Sequence, residues 1–273
     1  MRAWVNGRLL DDAGEPAVAV TDHGFTVGDG VFEAVKVMDG EPFALTRHLD
    51  RLVTSAKGMG LPEPDLAEVR RAVAAVLEGQ DLPLGRIRIA LTGGPAPLGS
   101  GRGSEPPTLV VAAGSMAPWP GTTAVATVPW PRNERGALAG LKTTSYGENV
   151  LALAHAAERG ASEAVFANTV GNLCEGTGSN VFYVVDGEVR TPTLASGCLA
   201  GISRVLVLEW YGGREVDEPI DVLTTADEVF LVSTTRDVQG VHAVDGRHLD
   251  APGPVTQEVM RVWAQKERED LDP

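Results

Sequence analysis

The segment AGLKTTSYGENVLALAHAAERG, residues 139–160, places Lys142 just ahead of a predicted helix, among small, apolar and hydroxylated residues. Ser145 and Glu148 have the spacing of a capping box, in which two side chains satisfy backbone N–H groups at a helix start. We therefore expect a helix to begin at Ser145. Lys142 should lie on the extended segment that leads into it.

Lys142 has two interpretations. Most lysines are solvated, and spacing alone favours that interpretation. A lysine amine in apolar surroundings, however, has a lowered pKa, and its neutral form condenses with a carbonyl group to a Schiff base. Glu175, in NLCEGTGSNVFYVV at 172–185, is the second candidate. Its carboxylate either caps a turn or holds a heterocyclic nitrogen in the protonated state.

Composition limits the class of protein. The chain has 273 residues, of which 43% are hydrophobic and 22% are charged, which is typical of a globular protein. A net charge of −14 opposes binding to nucleic acid and to anionic membrane surfaces. No apolar stretch approaches the roughly 20 residues of a membrane span, and no signal peptide is evident, so we expect a cytoplasmic protein. Cys174 and Cys198 have no metal-binding spacing, so we predict buried thiols and no metal site.

The hydrophobic patterns predict two lobes. In the first, residues 1–113, Asn6-Gly7 and Asp39-Gly40 are typical hairpin turns. Thr46 is positioned to cap a helix. Further elements are predicted as a helix at 66–79 and strands at 86–91 and 108–113.

The second lobe follows a linker. Residues 114–121, GSMAPWPG, combine Pro and Gly without periodicity, and the lobe then occupies 122–273. Helices are predicted at 145–159, 202–210 and 255–267. Further hairpin turns at Asp186-Gly187 and Asp245-Gly246 indicate a mostly antiparallel sheet. The pattern is that of an α+β protein.

Six motifs occur in a fixed order along the chain: GDGVFEAVKVMDG (28–40), RHLDRL (47–52), LKTTSYGENVLAL (141–153), EGTGSNVF (175–182), LAGISR (199–204) and VSTTRD (232–237). In order and spacing they resemble the class IV aminotransferases, which have the pyridoxal 5′-phosphate (PLP) fold type IV. That family contains branched-chain and D-amino-acid aminotransferases and aminodeoxychorismate lyase. The resemblance implies a smaller N-terminal α/β lobe, a larger C-terminal PLP-binding lobe and a homodimer.

The resemblance also implies roles for individual residues. Lys142 corresponds to the catalytic lysine that forms the Schiff base with PLP, and Glu175 to the partner of the pyridine nitrogen. The cofactor phosphate would be bound by Arg51, the backbone amides of Ile202 and Ser203, and Thr234. On a helical wheel, Arg51 lies opposite the apolar residues of its helix, so sequence alone favours exposure to solvent.

Three functions are compatible with these motifs. The first is an aminotransferase that moves an amino group between an amino acid and a 2-oxo acid. The second is an aminodeoxychorismate lyase that forms 4-aminobenzoate and pyruvate. A non-catalytic protein with the same fold is the third. We favour the aminotransferase, partly because Ala34 stands where lyases of the family tend to have threonine.

Substrate residues are where the chain departs from its relatives. Leu98 and Ser100 replace the Arg-x-His pair of D-amino-acid aminotransferases, which weakens that interpretation. Arg88 matches an arginine of branched-chain enzymes, whereas Arg86 stands where they have tyrosine. The candidates for substrate contacts are Arg88, Thr235 and Arg236, with Arg102 as a further arginine in a loop. A solvated strand residue is the alternative interpretation of Arg88.

Overall fold

A computed structural model describes residues 1–10 and 12–273, which divide into two compact units. The first unit contains Met1–Pro118, Leu141–Tyr146 and Leu271–Pro273, and the second contains Trp119–Gly140 and Gly147–Asp270. The division after Pro118 falls inside the predicted linker. The segment with Lys142 belongs to the first unit, which differs from the predicted second lobe of 122–273.

The described residues of the first unit form one sheet and three helices. Its strands are β1 (Arg2–Val5), β2 (Arg8–Leu10), β3 (Gly30–Met38), β4 (Glu41–Pro42), β5 (Leu84–Thr92) and β6 (Thr108–Ser115). Its helices are α1 (His23–Thr26), α2 (Leu45–Gly58) and α3 (Leu66–Leu77). The strands are ordered β2-β1-β6-β5-β3-β4, and neighbouring strands are antiparallel.

One face of this sheet packs against α2 and α3. Val31 and Val35 of β3 are buried there with Leu49 and Leu52 of α2. Since side chains alternate along a strand, Glu33 points to the same face as Val31 and Val35. A carboxylate therefore lies in the apolar layer beneath α2.

The second unit contains a nine-stranded sheet. Its strands are β7 (Thr122–Thr127), β8 (Glu163–Ala167), β9 (Leu173–Gly176), β10 (Asn180–Val185), β11 (Glu188–Thr191), β12 (Arg214–Glu215), β13 (Glu228–Ser233), β14 (Asp237–Val244) and β15 (Arg247–His248). Its α-helices are α4 (Gly147–Ala157), α5 (Ile202–Trp210) and α6 (Pro254–Glu269), and it has 3-10 helices at Leu194–Ser196 and Ile220–Thr224. The order is β12-β11-β10-β13-β14-β7-β8-β9, and β15 pairs with β14.

This second sheet is mostly antiparallel. The parallel pairs are β11 with β12, β14 with β7, and β7 with β8. Its other pairs are antiparallel. The mixture of helices and largely antiparallel sheets confirms the predicted α+β class. Across residues 1–10 and 12–273, no helix combines the length and apolar character that crossing a membrane requires.

The four predicted hairpin turns are confirmed. Asp39 and Gly40 both have positive φ, at 50° and 86°, and join Met38 to its antiparallel partner Glu41. Two consecutive positive φ values are what a two-residue type I′ turn requires, and Asn-Gly or Asp-Gly meets that requirement with little strain. The turns at Asn6-Gly7, Asp186-Gly187 and Asp245-Gly246 have the same pattern.

Two predicted helix starts are wrong. Helix α2 begins at Leu45 after Ala44, which has a left-handed φ of 54°, so Thr46 is not the cap. Thr46 instead donates from its amide and its hydroxyl to Asp272, at 2.8 and 2.6 Å. Helix α4 begins at Gly147, and the Ser145 hydroxyl donates to the carbonyl of Gly28 at 3.0 Å. In both cases local spacing predicted that the hydroxyl caps a helix, whereas in the structure it donates to a residue distant in sequence.

Candidate active site

Lys142 is held in the first unit by its backbone. Its carbonyl accepts from the amide of Phe32 in β3 at 3.0 Å, and its amide donates to the Ser55 hydroxyl of α2 at 3.2 Å. The amide of Thr144 donates to Gly30 at 2.8 Å. The extended segment thus adds to the start of β3, which fixes the direction in which the Lys142 side chain leaves the backbone.

The ring of Phe32 lies beneath two cations. Lys142 Nζ is 4.6 Å from the ring centroid, and the Arg88 guanidinium is 3.9 Å from it. The ring of Tyr146 packs edge-on against the Phe32 ring, with 5.2 Å between the two ring centroids. Arg88 as a whole residue is exposed to solvent, but its guanidinium group is partly buried. This burial lowers the pKa of Arg88, and the nearby positive charge of Arg86 lowers it further. The structure therefore brings the predicted lysine and the predicted substrate arginine to one aromatic ring.

Arg51 is paired with a buried carboxylate. Its Nε and Nη2 donate to the two oxygens of Glu33 at 2.8 and 2.7 Å, a bidentate arrangement. His48 Nδ1 lies 2.7 Å from Glu33 Oε2 and donates to it, since a carboxylate only accepts. The solvent exposure that sequence favoured for Arg51 is wrong, because Glu33 draws its side chain towards β3.

The contacts among these groups shift the pKa values of Glu33 and His48. Burial opposes ionisation of Glu33, but the charge of Arg51 and hydrogen bonds from Arg51 and His48 more than offset it and lower the pKa to about 2. Burial lowers the pKa of His48, and the positive charges of Arg51 and Lys142 lower it further. The hydrogen bond to Glu33 and the negative charge of Glu33 act in the opposite direction. At neutral pH the cluster is a carboxylate, a guanidinium and a neutral imidazole. Neither Glu33 nor His48 was among the residues expected from the sequence, although a glutamate inside the apolar run VFEAV was a usable signal.

Glu175 lies in β9 of the second unit. Its Oε2 accepts from the amide of Leu199 at 2.9 Å. Its Oε1 is 3.3 Å from Nε of Arg132, whose guanidinium stacks 4.1 Å over the ring of Phe166. The carboxylate is thereby fixed in orientation and kept beside a positive charge. Sequence analysis did not identify Arg132.

Ile202 and Ser203 form the buried first turn of α5. The first N–H groups of a helix have no acceptor within the helix, and the helix dipole favours an anion there. Gly201 precedes this turn, and a Cβ added to it would lie 1.9 Å from Asn180 Oδ1. Any larger residue would force the Asn180 side chain to move, so glycine allows the close approach of the helix start to the EGTGSN loop.

The predicted residues Thr234, Thr235 and Arg236 form the turn between β13 and β14. Thr234 and Thr235 are half-buried, whereas Arg236 is buried. The Arg236 guanidinium stacks 3.8 Å over Trp119, and burial lowers its pKa. Its guanidinium N–H groups donate to Ser162 and Gln239 of the same unit. These hydrogen bonds favour a structural role over the predicted contact with substrate.

Arg102 is committed in the same way within the first unit. It donates to both oxygens of Asp29 at 2.7 and 2.6 Å and to the carbonyls of Met59 and Gly60 at 2.7 and 2.6 Å. The hydrogen bonds from Arg102 hold the pKa of Asp29 below its usual range. This geometry anchors the loop that carries Arg102 and offers no support for the expected substrate contact.

The candidate residues thus form two groups. Lys142, Arg51 and Arg88 lie in the first unit, together with Glu33 and His48. The second unit carries Glu175, the start of α5 and the Thr234–Arg236 turn. The roles of these residues in binding a cofactor or a substrate stay predictions.

Comparison with known proteins gives consistent results. The profile of the amino-transferase class IV family matches residues 30–244. The chain is 34% identical to the "Putative branched-chain-amino-acid aminotransferase" of Methanocaldococcus jannaschii, with 90% of this chain and 89% of that protein covered. It is 30% identical to the bifunctional aminodeoxychorismate lyase / D-amino acid transaminase of Mycobacterium tuberculosis, with 91% and 93% covered.

Solved structures agree with the sequence matches. A fold IV transaminase from Curtobacterium pusillum superposes with a TM-score of 0.84 at 33% identity, and 96% of this chain and 93% of that chain are covered. The predicted fold type IV is therefore confirmed. With most of its length matched by the family profile and by these relatives, the chain belongs to the class IV aminotransferases.

Proposed function

We propose that this aminotransferase binds PLP and moves an amino group between an amino acid and a 2-oxo acid, with Lys142 as the catalytic lysine. The position of Lys142 carries the proposal. Its backbone is bonded to β3 and α2, and its amine lies 4.6 Å from the centroid of the Phe32 ring. A lysine held in this way presents its amine in a defined direction, which a solvated lysine does not.

The residues present fit PLP chemically. A phosphate dianion suits the buried first turn of α5, where Gly201 leaves no room for a Cβ. Arg51 offers a guanidinium oriented by Glu33, and Thr234 a hydroxyl in the β13–β14 turn. A protonated ring nitrogen suits the anchored carboxylate of Glu175. We assign phosphate binding to Arg51, Ile202, Ser203 and Thr234, and the ring nitrogen to Glu175.

Each of these residues has a separate role in the proposed reaction. When bound, PLP supplies a carbonyl carbon that exchanges amines and a ring that withdraws electrons. Lys142 Nζ, in its neutral form, would take the proton from the α-carbon of the substrate as a general base and, as a general acid, deliver it to C4′, the carbon that bears the cofactor carbonyl. Glu175 holds a proton on the ring nitrogen through its anionic charge. Arg88, over the Phe32 ring, binds a carboxylate of the substrate.

Lys142→Ala tests this function. The variant should lose transamination and the visible absorbance of bound PLP, whereas Lys57→Ala, at an exposed lysine of α2, should keep both. Borohydride reduction of the wild-type protein with PLP, followed by peptide mapping, identifies the lysine joined to the cofactor. Labelling of another lysine would refute the assignment to Lys142.

The lyase remains the second candidate, because the relative from Mycobacterium tuberculosis has both names. The shared residues remove the same α-proton in either reaction, so they do not separate the outcomes. Incubation with aminodeoxychorismate and an assay for 4-aminobenzoate separates them. Formation of 4-aminobenzoate without amino transfer to any 2-oxo acid would replace the proposed function.

We also propose that the protein is a homodimer. The exposed side of α4 is apolar, with Val150 65% and Leu151 64% accessible to solvent. Apolar side chains grouped on a surface commonly mark a contact between proteins. Sedimentation equilibrium should give twice the mass of the chain, and a fully active monomer would contradict the proposal.

A further inference from the structure

Glu163 fixes the loop that follows Glu175. Glu163 begins β8 and is 2% exposed. Its Oε1 accepts from the amide of Thr177 at 2.9 Å and from the Thr177 hydroxyl, and its Oε2 accepts from the Ser179 hydroxyl at 3.0 Å. One buried carboxylate thus binds the EGTGSN loop at two residues.

The loop also packs closely on this carboxylate. A Cβ added to Gly176 would lie 2.5 Å from the Ser179 hydroxyl oxygen and 3.1 Å from Cγ of Glu163. The amide of Gly176 donates to the carbonyl of Ser179 at 2.8 Å, which closes the turn. Glycine at this position allows the turn and the glutamate side chain to occupy adjacent space.

Arg236 reaches the same carboxylate from the β13–β14 turn. The residue is 8% exposed, and its Nη2 lies 3.5 Å from Glu163 Oε2 and donates to the carbonyl of Ser162 at 3.0 Å. Its Nη1 donates to the side chains of Gln239 and Ser162. With Trp119 stacked on its guanidinium, the arginine is enclosed by groups of the second unit.

A buried carboxylate is unfavourable without a nearby positive charge. Arg236 supplies this charge to Glu163, and both side chains are almost fully buried, so solvent screens their interaction little. Arg236 follows Thr234 by two residues, and the loop bound by Glu163 begins directly after Glu175. The ion pair therefore joins the two segments to which the proposed function assigns binding of the phosphate and of the ring nitrogen.

We propose that Arg236 and Glu163 are positioning residues, whose buried ion pair holds the Thr234 turn against the loop of Glu175. Arg236 thereby acts on the cofactor through Thr234 and Glu175 and contacts no substrate. The inference rests on the proposed function for the roles of those two residues. Arg236 is thus proposed to position cofactor-binding segments, whereas the sequence led us to expect a contact with substrate.

A set of variants tests the pair: Arg236→Met, Arg236→Lys, Glu163→Gln and the double variant Arg236→Met/Glu163→Gln. The exposed pair of Arg261 with Glu258 in α6, separated by 2.7 Å, gives matched controls as Arg261→Met and Glu258→Gln. Three quantities are measured: the dissociation constant of PLP from the apo protein, amide hydrogen exchange of 175–180 in the apo protein, and kcat and KM for the amino acid substrate.

Arg236→Met should weaken PLP binding about 5-fold, which corresponds to about 1 kcal/mol, because residues of one buried network are energetically coupled. Exchange at 175–180 should accelerate in the same variant, and Arg236→Lys should recover part of both effects. The double variant should lose less than the sum of the single changes, since removing both charges leaves neither unpaired. The control variants Arg261→Met and Glu258→Gln should change neither the PLP dissociation constant nor amide exchange at 175–180.

Two results would overturn the inference. The first is an unchanged PLP dissociation constant and unchanged exchange in Arg236→Met. The second is a raised KM for the amino acid with PLP binding intact, which would mark Arg236 as a substrate residue. A wild-type protein unable to bind PLP would refute the proposed function instead. In that case exchange in the apo protein still decides whether the pair holds the loop, and if Arg236→Met does not fold, Arg236→Lys and Glu163→Gln provide the same comparisons.

Discussion

Replacement of Glu33 by glutamine should destabilise the protein strongly at neutral pH. The Glu33 carboxylate is fully buried and accepts three hydrogen bonds, two from Arg51 and one from His48. Glutamine has nearly the same shape but only one oxygen acceptor, and its NH₂ group faces donors. The change leaves the Arg51 guanidinium partly buried without its counter-charge.

The pKa of Glu33 gives the magnitude. It falls from an ordinary value of 4.5 to about 2 in the folded protein. Since one pH unit is worth about 1.36 kcal/mol, this difference corresponds to about 3 kcal/mol of stability at pH 7. The folded pKa lies below the unfolded pKa, so the contribution is fully present above about pH 4.5 and is lost as the pH falls towards 2.

Urea unfolding of the wild-type protein and of Glu33→Gln between pH 7 and pH 3 measures this contribution. The difference in unfolding free energy should be about 3 kcal/mol from pH 7 to pH 5 and about half of that at pH 3. Because Glu33 opposes the lowering of the His48 pKa, the two proteins are also compared in a His48→Gln background, in which this imidazole does not titrate. Glu41→Gln, at an exposed glutamate of β4, should stay within about 0.5 kcal/mol of the wild type.

Two outcomes would refute this reasoning. A difference that stays constant down to pH 3 would show that ionisation of Glu33 does not contribute to stability. A difference below about 0.5 kcal/mol at pH 7 is the size expected of a surface residue and would contradict the buried pairing with Arg51.

Three further predictions concern the candidate site. Glu175→Gln should retain PLP but slow the single-turnover half-reaction, because a neutral amide does not hold the ring nitrogen as a cation; an unchanged rate would remove Glu175 from the mechanism. Arg88→Leu should lower kcat/KM for glutamate roughly 10-fold to over 100-fold, from the loss of a charge-assisted hydrogen bond of about 1.5–3 kcal/mol, and should affect leucine less. An equal, small loss for both amino acids would contradict a contact between Arg88 and the side-chain carboxylate. Gly201→Ala should reduce stability and the affinity for PLP, because its Cβ would lie 1.9 Å from Asn180 Oδ1, whereas Gly121→Ala, which meets no atom within 4 Å, should be neutral in both assays.

Local sequence predicted the elements that depend on neighbouring residues. The Asp39-Gly40 turn follows from two residues that tolerate positive φ, and β3 on its N-terminal side follows from its apolar run. The helix starts at Thr46 and Ser145 were mispredicted for the opposite reason. Their hydroxyls bind Asp272 and Gly28, which are distant in sequence.

The family and the fold were also determined by sequence, because six motifs kept their order and spacing over most of the chain. Their resemblance identified Lys142, Arg51 and Glu175 as candidates, and the structure adds that Lys142 and Glu175 are held by hydrogen bonds that involve the backbone. Lys142 is fixed by Phe32 and Ser55, and Glu175 by Leu199. Backbone contacts of this kind have no signature in a motif.

Only the tertiary structure decided which groups each arginine side chain contacts. Arg51, Arg88, Arg102 and Arg236 have the same side chain, and sequence alone placed each near a substrate, a phosphate or solvent. In the folded chain Arg102 is committed to Asp29 and Arg236 to its own unit, whereas the Arg88 guanidinium stacks on Phe32. A guanidinium binds whichever carboxylate or carbonyl the fold brings within about 3 Å, and that proximity depends on contacts between distant segments, which spacing along the chain does not encode.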